Sequence, residues 1–240
     1  MKFTKMHGLG NDFIFVEYFN NPRPELDFPA LSVKLCDRNF GIGGDGLVLV
    51  LPSTIADARM QIFNSDGSEP EMCGNAIRCF AKYLYERGLV TSNPMQVETL
   101  RGVLTLELQI ADGVVETVRV DMGEPILAPA LIPTTGVGEM ILNHRLDVEG
   151  QEYQITAVSM GNPHCVTFVD DAKAVNLSEK GPKLETHDFF PRNTNVEFVQ
   201  VIDRSQVIMR VWERGAGPTL ACGTGACATA VACVLNDKTD

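Results

Sequence analysis

The sequence predicts an α/β (α+β) chain built as two related halves, each with one cysteine at the start of a helix. Three observations predict it. First, Met72-Cys73-Gly74-Asn75 and Ala221-Cys222-Gly223-Thr224 each open a helix-like run, and their cysteines lie 222 − 73 = 149 residues apart. Second, polar residues recur at matching distances. Asn64 and Glu213 each stand nine residues before a cysteine, and Gly10-Asn11 and Gly161-Asn162 pair at an offset of 151. Third, alternating β-branched and aromatic stretches lie on both sides of a Pro/Gly-rich crossing segment that runs from Gly123 to Gly138.

The elements follow from local pattern. In the first half, strands are expected at 2–6, 13–18, 46–51, 58–63, 95–99, 103–110 and 114–121, the last group led by the alternation in Val103-Leu104-Thr105-Leu106-Glu107-Leu108. Helices are expected at 29–38 and 74–87. The second has apolar residues at helical spacing from Ile77 and stops at Gly88. In the second half, strands are expected at 152–159, 164–169, 195–202 and 206–213, and helices at 173–186 and 223–235. The division is expected near residue 120, giving 1–120 with Cys73 and 121–240 with Cys222.

Composition narrows the function. The chain has 240 residues, 45% of them hydrophobic, which supports a substantial core. Its formal net charge is −11, with no Lys/Arg cluster, and that argues against nucleic acid or an anionic membrane as partner. The N-terminus carries no secretory pattern, and the longest apolar run, near Leu47 to Leu51, is too short to span a bilayer. The seven cysteines, without a C-x-x-C, fit free thiols in a reducing cytoplasm better than a disulfide framework or a zinc site.

A cysteine at a helix start has a defined chemistry. A free thiol titrates near ~8.5, and a helix N-terminus lowers that value, by up to about one unit for roughly 2 kcal/mol of dipole interaction. Two thiols flanking one carbon do not both ionise, because like charges repel. Such a pair holds one thiolate and one thiol and titrates as a unit, one member taking a proton as base while the other gives one as acid. The backbone N–H groups of Gly74, Asn75, Gly223 and Thr224 are suited to hold a carboxylate, and to stabilise the charge that develops when an α-proton leaves. No metal, pyridoxal lysine motif or nucleotide loop is needed, and none is evident. Gly41-Ile42-Gly43-Gly44-Asp45-Gly46 contains a G-x-G but precedes a strand rather than opening a helix, and reads as a turn.

At this point the motifs resemble a known family. Lys5-Met6-His7-Gly8-Leu9-Gly10-Asn11-Asp12-Phe13, Phe63-Asn64-Ser65-Asp66-Gly67-Ser68-Glu69, Met72-Cys73-Gly74-Asn75, Ser159-Met160-Gly161-Asn162-Pro163-His164, Glu213-Arg214-Gly215-Ala216-Gly217 and Ala221-Cys222-Gly223-Thr224-Gly225 together resemble the diaminopimelate epimerases, in order and over nearly the whole chain. The resemblance implies a cofactor-independent isomerase that interconverts LL- and meso-2,6-diaminopimelate in lysine biosynthesis. It implies two pseudo-symmetric mixed-sheet halves, each wrapped on a central helix, with the active site in the cleft between them, and a homodimer. It implies that Cys73 and Cys222 are the acid/base thiols, tuned by His164 and Glu213. Gly74, Asn75, Gly223 and Thr224 would meet the reacting carboxylate. Asn11, Asn64, Asn162, Asn195 and Arg214 would read the distal amino-acid end, with Arg214 a bidentate partner for its carboxylate.

Two departures from the family pattern stand out. Some members carry Gln where this chain has Gly46, so that contact is expected from backbone or water. Members also continue beyond the second cysteine helix, whereas this sequence stops at Asp240, so the 240 residues alone are expected to be poorly stable or inactive. The remaining residues have plainer readings. Cys79, Cys227 and Cys233 read as helix core packing, Cys36 and Cys165 as structural, and Glu179, Lys180, Lys183 and Glu185 as a solvated helix face; His7, His144 and His187 carry no functional expectation. Competing classes are a racemase of the same architecture acting on proline, hydroxyproline or an aromatic acid, a thiol redox protein, and a non-catalytic amino-acid-binding module. The first would lack the asparagine set and Arg214. The second would want a nearby resolving cysteine, and the third would tolerate loss of either thiol.

Overall fold

A computed structural model describes residues 1–240, and the chain divides into two units, Met1–Met122 and Gly123–Asp240. The first unit is built on a seven-stranded sheet in sequence order: β1 (Thr4–Gly8), β2 (Asn11–Glu17), β3 (Gly46–Leu51), β4 (Ala58–Asn64), β5 (Met95–Thr99), β6 (Gly102–Ala111) and β7 (Val114–Val120). The pairs β2–β3 and β4–β5 are parallel and the others antiparallel. Parallel neighbours need a crossover, and each crossover here carries a helix: α1 (Phe28–Cys36) and α2 (Gly74–Glu86). These helices cover different faces. Val48 and Val50 join Ala76, Ile77, Phe80 and Leu84 of α2 in one core, while Leu47, Leu49 and Leu51 join Phe28 and Cys36 of α1 in another. The unbroken apolar run of β3 is therefore that of a strand buried on both sides.

The second unit has a six-stranded sheet in the order β13-β12-β11-β10-β9-β8, formed by β8 (His144–Val148), β9 (Gln151–Ser159), β10 (Pro163–Phe168), β11 (Asn195–Val201), β12 (Val207–Glu213) and β13 (Gly217–Pro218). Only β10–β11 is parallel, and α3 (Leu177–Glu185) lies in that crossover. Its core gathers Ile155, Ala157, Cys165, Leu184, Phe190, Val196 and Phe198. The helix α4 (Gly223–Leu235) follows β13. The succession β9-β10-β11-β12-α4 thus repeats β1-β2-β3-β4-α2 in order and in strand direction, so the sequence repeat is also a topological repeat.

Several elements differ from the expectation. The first strand lies two residues later than the expected 2–6, because its register is set by the β1–β2 hairpin, whose turn residues Leu9 and Gly10 have φ of 54° and 86°. Both turn positions need the left-handed region, which matches the strand twist. The strand β8 was not expected at all. It pairs with β9 through a second such turn, Glu149-Gly150, with φ of 54° and 84°. Leu146 and Val148 are its only buried side chains, a signal too short to stand out. The two-residue β13 was likewise unexpected. The helix α3 begins at Leu177 rather than 173, because Asp171 turns the preceding backbone by accepting from the N–H groups of Lys173 and Ala174. Glu185 is not on a solvated face: it is buried and accepts from Trp212 Nε1 at 2.6 Å and from the Gly215 N–H at 2.9 Å.

Candidate active site

In the first unit the site residues converge on the start of α2. Cys73 is the N-cap of that helix, in an extended conformation with φ −133° and ψ 113°. The first bond of the helical ladder runs from the Ile77 N–H to the Cys73 carbonyl, so the amides of Gly74 and Asn75 precede it. Asn75 is buried and donates through Nδ2 to Asn11 Oδ1 at 3.4 Å, while its Oδ1 accepts from Arg78 Nη2 at 2.6 Å. Asn11 in turn donates to Asp45 Oδ2 at 2.6 Å, and the same oxygen accepts the Asp12 N–H at 2.8 Å. Asp45 thereby fixes the start of β2. Arg38 bridges Asp45 and Asp12, and Lys5 adds a second cation to Asp12 at 2.9 Å. Burial pushes the Asp12 carboxyl up, but the hydrogen bonds from Arg38 and Lys5 outweigh it and hold the group at about 2. Asn64 ends β4 and donates to Ser68 Oγ at 2.9 Å across a tight turn. At Gly46 a Cβ would stand 2.9 Å from the Phe63 carbonyl oxygen, so a side chain at that position requires the backbone to shift.

In the second unit a matching set surrounds the start of α4. Cys222 is the N-cap, with φ −123° and ψ 113°, and its sulfur accepts from the Gly225 N–H at 3.3 Å. The same sulfur lies 3.3 Å from Thr224 Oγ1. Asn162 donates through Nδ2 to Thr224 Oγ1 at 3.2 Å, and its Oδ1 lies 3.0 Å from His164 Nε2. Asn11 with Asn75, and Asn162 with Thr224, are therefore equivalent contacts, each joining a hairpin asparagine to the residue two beyond a cysteine. His164 is fully buried and sets Nδ1 2.7 Å from Glu197 Oε1. Asn195 holds its own neighbourhood: Nδ2 donates to the Pro163 carbonyl at 2.7 Å, and Oδ1 accepts the Arg214 N–H at 2.9 Å. Glu213 closes the far end, accepting from Thr219 Oγ1.

The electrostatics of Cys222 reverse the expectation drawn from helix position alone. Burial, then the carboxylates of Glu213 and Glu197, push this thiol well above its ordinary value. The Thr224 hydroxyl and the Gly225 N–H pull the other way without overcoming them. Burial is the largest of these causes, because removing water penalises the charged thiolate. Cys222 therefore rests as a thiol near neutral pH, the form that gives a proton. Cys36, Cys79, Cys165 and Cys233 are buried and pushed up by burial, as core thiols are, while Cys227 is half-buried.

Within each unit the structure brings the sequence-predicted residues together: Asn11, Gly74 and Asn75 near Cys73, and Asn162, His164, Gly223 and Thr224 near Cys222. Asn195 meets Arg214 through the backbone. Two residues escaped the sequence reading. Asp45 lay inside a glycine-rich stretch read only as a turn. Glu197 lay inside a strand, where the one clue was a charged residue among Val196, Phe198 and Val199.

This combination defines a class: two units of mixed sheet, related by a repeated topology, each carrying a helix capped by cysteine. A solved hydroxyproline epimerase from Agrobacterium vitis has the same fold, with a TM-score of 0.73 at 16% identity, over 99% of this chain and 78% of that one. The family model described as "Diaminopimelate epimerase" matches residues 3–128 and 156–240. Diaminopimelate epimerase of Desulfitobacterium hafniense is 60% identical over 241 residues, spanning 100% of this chain and 85% of that protein. That of Pelotomaculum thermopropionicum is 60% identical over 239 residues, with the same coverage. The chain belongs to the diaminopimelate epimerase family.

Proposed function

We propose that this protein is an isomerase that interconverts LL- and meso-2,6-diaminopimelate in lysine biosynthesis, using Cys73 and Cys222 as its two proton-transfer groups. The observation that carries the mechanism is the repetition of one device, a cysteine N-capping the helix that comes after the four repeated strands, directly in the first unit and after the two-residue β13 in the second. Epimerisation at carbon requires a base on one side and an acid on the other. In this reading one cysteine, as thiolate, takes the α-proton. The electron pair left on the α-carbon spreads into the carboxylate, held by the amides of Gly74, Asn75, Gly223 and Thr224. The other cysteine, as thiol, then gives its proton to the opposite face. One proton leaves, one arrives, and the configuration inverts. The high resting value of the Cys222 thiol suits it to the acid role in one direction. Asn11, Asn64, Asn162, Asn195 and Arg214 read the distal amino-acid end, with Glu213 and His164 tuning the second thiol.

The same reading makes the protein a cytoplasmic homodimer that acts on a small amino acid, with no nucleic-acid or membrane partner. The free state of all seven cysteines and the net charge of −11 support the compartment and the partner class, while the dimer rests on family resemblance. No helix is long and apolar enough to cross a membrane. The function is tested by incubating the protein with LL-diaminopimelate in deuterium oxide and following the α-proton by NMR. Formation of the meso isomer with deuterium at one α-carbon is expected; inert LL substrate beside turnover of proline or hydroxyproline would overturn it. Sedimentation equilibrium tests the dimer.

A further inference from the structure

Glu197 is an ionisable residue, fully buried, and placed inside a strand of the second unit, where burying a polar or charged group without compensation is costly. Its Oε1 meets His164 Nδ1 at 2.7 Å, and its Oε2 is buried with no hydrogen-bond partner in the protein. The fold makes room for it: a Cβ at Gly225 would lie 2.7 Å from Glu197 Oε1 and 3.2 Å from the Cys222 sulfur. The carboxylate thus abuts the helix start that carries Cys222.

Hydrogen-bond direction gives the pair a definite content. Asn162 donates to Thr224 Oγ1 through Nδ2, so it offers Oδ1 to His164 Nε2 at 3.0 Å. A carbonyl oxygen only accepts, so His164 carries a proton on Nε2. On the other side of the ring, either the Glu197 carboxyl keeps its proton and donates to Nδ1, or it is ionised and accepts from an imidazolium. In both cases Glu197 and His164 hold two protons between them and no net charge.

The direction propagates to the sulfur. With Asn162 donating to it, Thr224 keeps its own proton uncommitted. Its hydroxyl is then able to accept from Cys222 as a thiol and to donate to Cys222 as a thiolate, across the 3.3 Å contact. Were the Asn162 amide reversed, its carbonyl would claim the Thr224 proton, and the thiolate would keep only the Gly225 N–H. A residue that alternates between acid and base needs the first arrangement.

We propose that Glu197 is a positioning residue for the epimerisation: it holds His164 protonated at Nε2, and through Asn162 and Thr224 it keeps Cys222 served in both of its protonation states. The proposal rests on the two-thiol reading above. The titratable groups facing this chain are Cys222, Glu213, the buried Cys165, His164 and Glu197 itself.

The test has two arms. Nitrogen-15 NMR of the imidazole side chains in the substrate-free protein, with His164 assigned through a His164→Gln variant, should show Nε2 protonated near neutral pH. A bare Nε2 on His164 would overturn the proposal, whatever the protein does with diaminopimelate. In the kinetic arm, Glu197→Leu should lower kcat on LL-diaminopimelate by about 10- to 100-fold, with KM within about twofold, as loss of an orienting outer contact does elsewhere. Glu197→Gln, which can donate to Nδ1 in the same shape, should recover most of that loss. Folded Glu197→Leu with unchanged kcat, or Glu197→Gln as impaired as Glu197→Leu, would refute the positioning role. Absence of wild-type turnover on diaminopimelate would strike the functional reading while leaving the NMR result to stand or fall alone.

Discussion

Cys73 and Cys222 adopt the same backbone conformation, φ/ψ of −133°/113° and −123°/113°, each immediately before a 13-residue helix. Extended geometry at an N-cap turns the side chain toward the first helical amides. At Cys222 this is visible as the Gly225 N–H donating to sulfur. The two helices are otherwise unlike. The exposed and buried faces of α2 are sharply separated, with Arg78, Lys82 and Glu86 on one side, whereas α4 is rich in small residues and carries no charged one. What the repeat keeps is the cap.

The Glu213 carboxylate is the largest charge acting on Cys222 after burial itself. Removing that charge relieves repulsion of the thiolate, so Glu213→Gln should move the Cys222 titration to lower pH. The difference in thiolate absorbance between Cys73→Ala and Cys73→Ala/Cys222→Ala, followed against pH with and without Glu213→Gln, isolates Cys222 among the seven free thiols and reads the shift. A shift upward would show that Glu213 acts mainly as a hydrogen-bond partner.

Gly225 offers a test of sign. Alanine in a helix is favoured over glycine by about 1 kcal/mol, so propensity alone expects Gly225→Ala to stabilise. The added Cβ would instead meet Glu197 Oε1 at 2.7 Å and the Cys222 sulfur at 3.2 Å. Overpacking of this kind costs about 1–3 kcal/mol, so the variant should melt lower and lose activity. Thermal unfolding and turnover, measured together, decide between the two.

Asp45 organises the start of β2 through one oxygen shared by Asn11 Nδ2 and the Asp12 N–H. Asp45→Ala leaves both donors without that partner, and hydrogen bonds to charged groups are worth about 1.5–3 kcal/mol. Loss of Asn11 positioning should raise KM about tenfold or more, with a smaller effect on kcat. Steady-state kinetics separate the two parameters. An unchanged KM would mean that Asn11 does not read the substrate.

Acid stability should depend on Asp12. Its folded value of about 2 lies below the ordinary 3.8. The stabilisation is therefore complete above about pH 4 and is lost as pH falls through the folded value. In Asp12→Asn that contribution is absent. The difference in urea midpoint between wild type and variant should be largest above about pH 4 and shrink toward pH 2. A difference that stays constant with pH would locate the effect in packing rather than in charge.

Much of this was legible in the chain. The Cys-Gly repeat, the paired Gly-Asn hairpins and the apolar period of α2 are local signals, and local geometry obeyed them. What the pattern could not carry was partnership. Glu197 looked like an isolated charge in a strand until parallel pairing set β11 beside β10 and brought it to His164. Glu185 fitted a solvated helix face by spacing, yet Trp212 and Gly215, far along the chain, bury it. The Cys222 thiol is raised because burial, then two carboxylates, outweigh the hydrogen bonds from Thr224 and Gly225, and burial is a property of the fold. The strand β8 was missed for a different reason: with only Leu146 and Val148 inward, its identity depends on the Glu149-Gly150 turn.

The central claim is that both thiols are needed and that each serves one face of the same carbon. The direct measurement is α-proton exchange and inversion of LL-diaminopimelate in deuterium oxide by Cys73→Ala and by Cys222→Ala, followed by NMR beside folded wild type. Each variant should lose inversion by about 10² to 10⁴-fold, the usual contribution of a positioned acid or base. Wild-type rates of inversion in either single variant would contradict the two-thiol account outright.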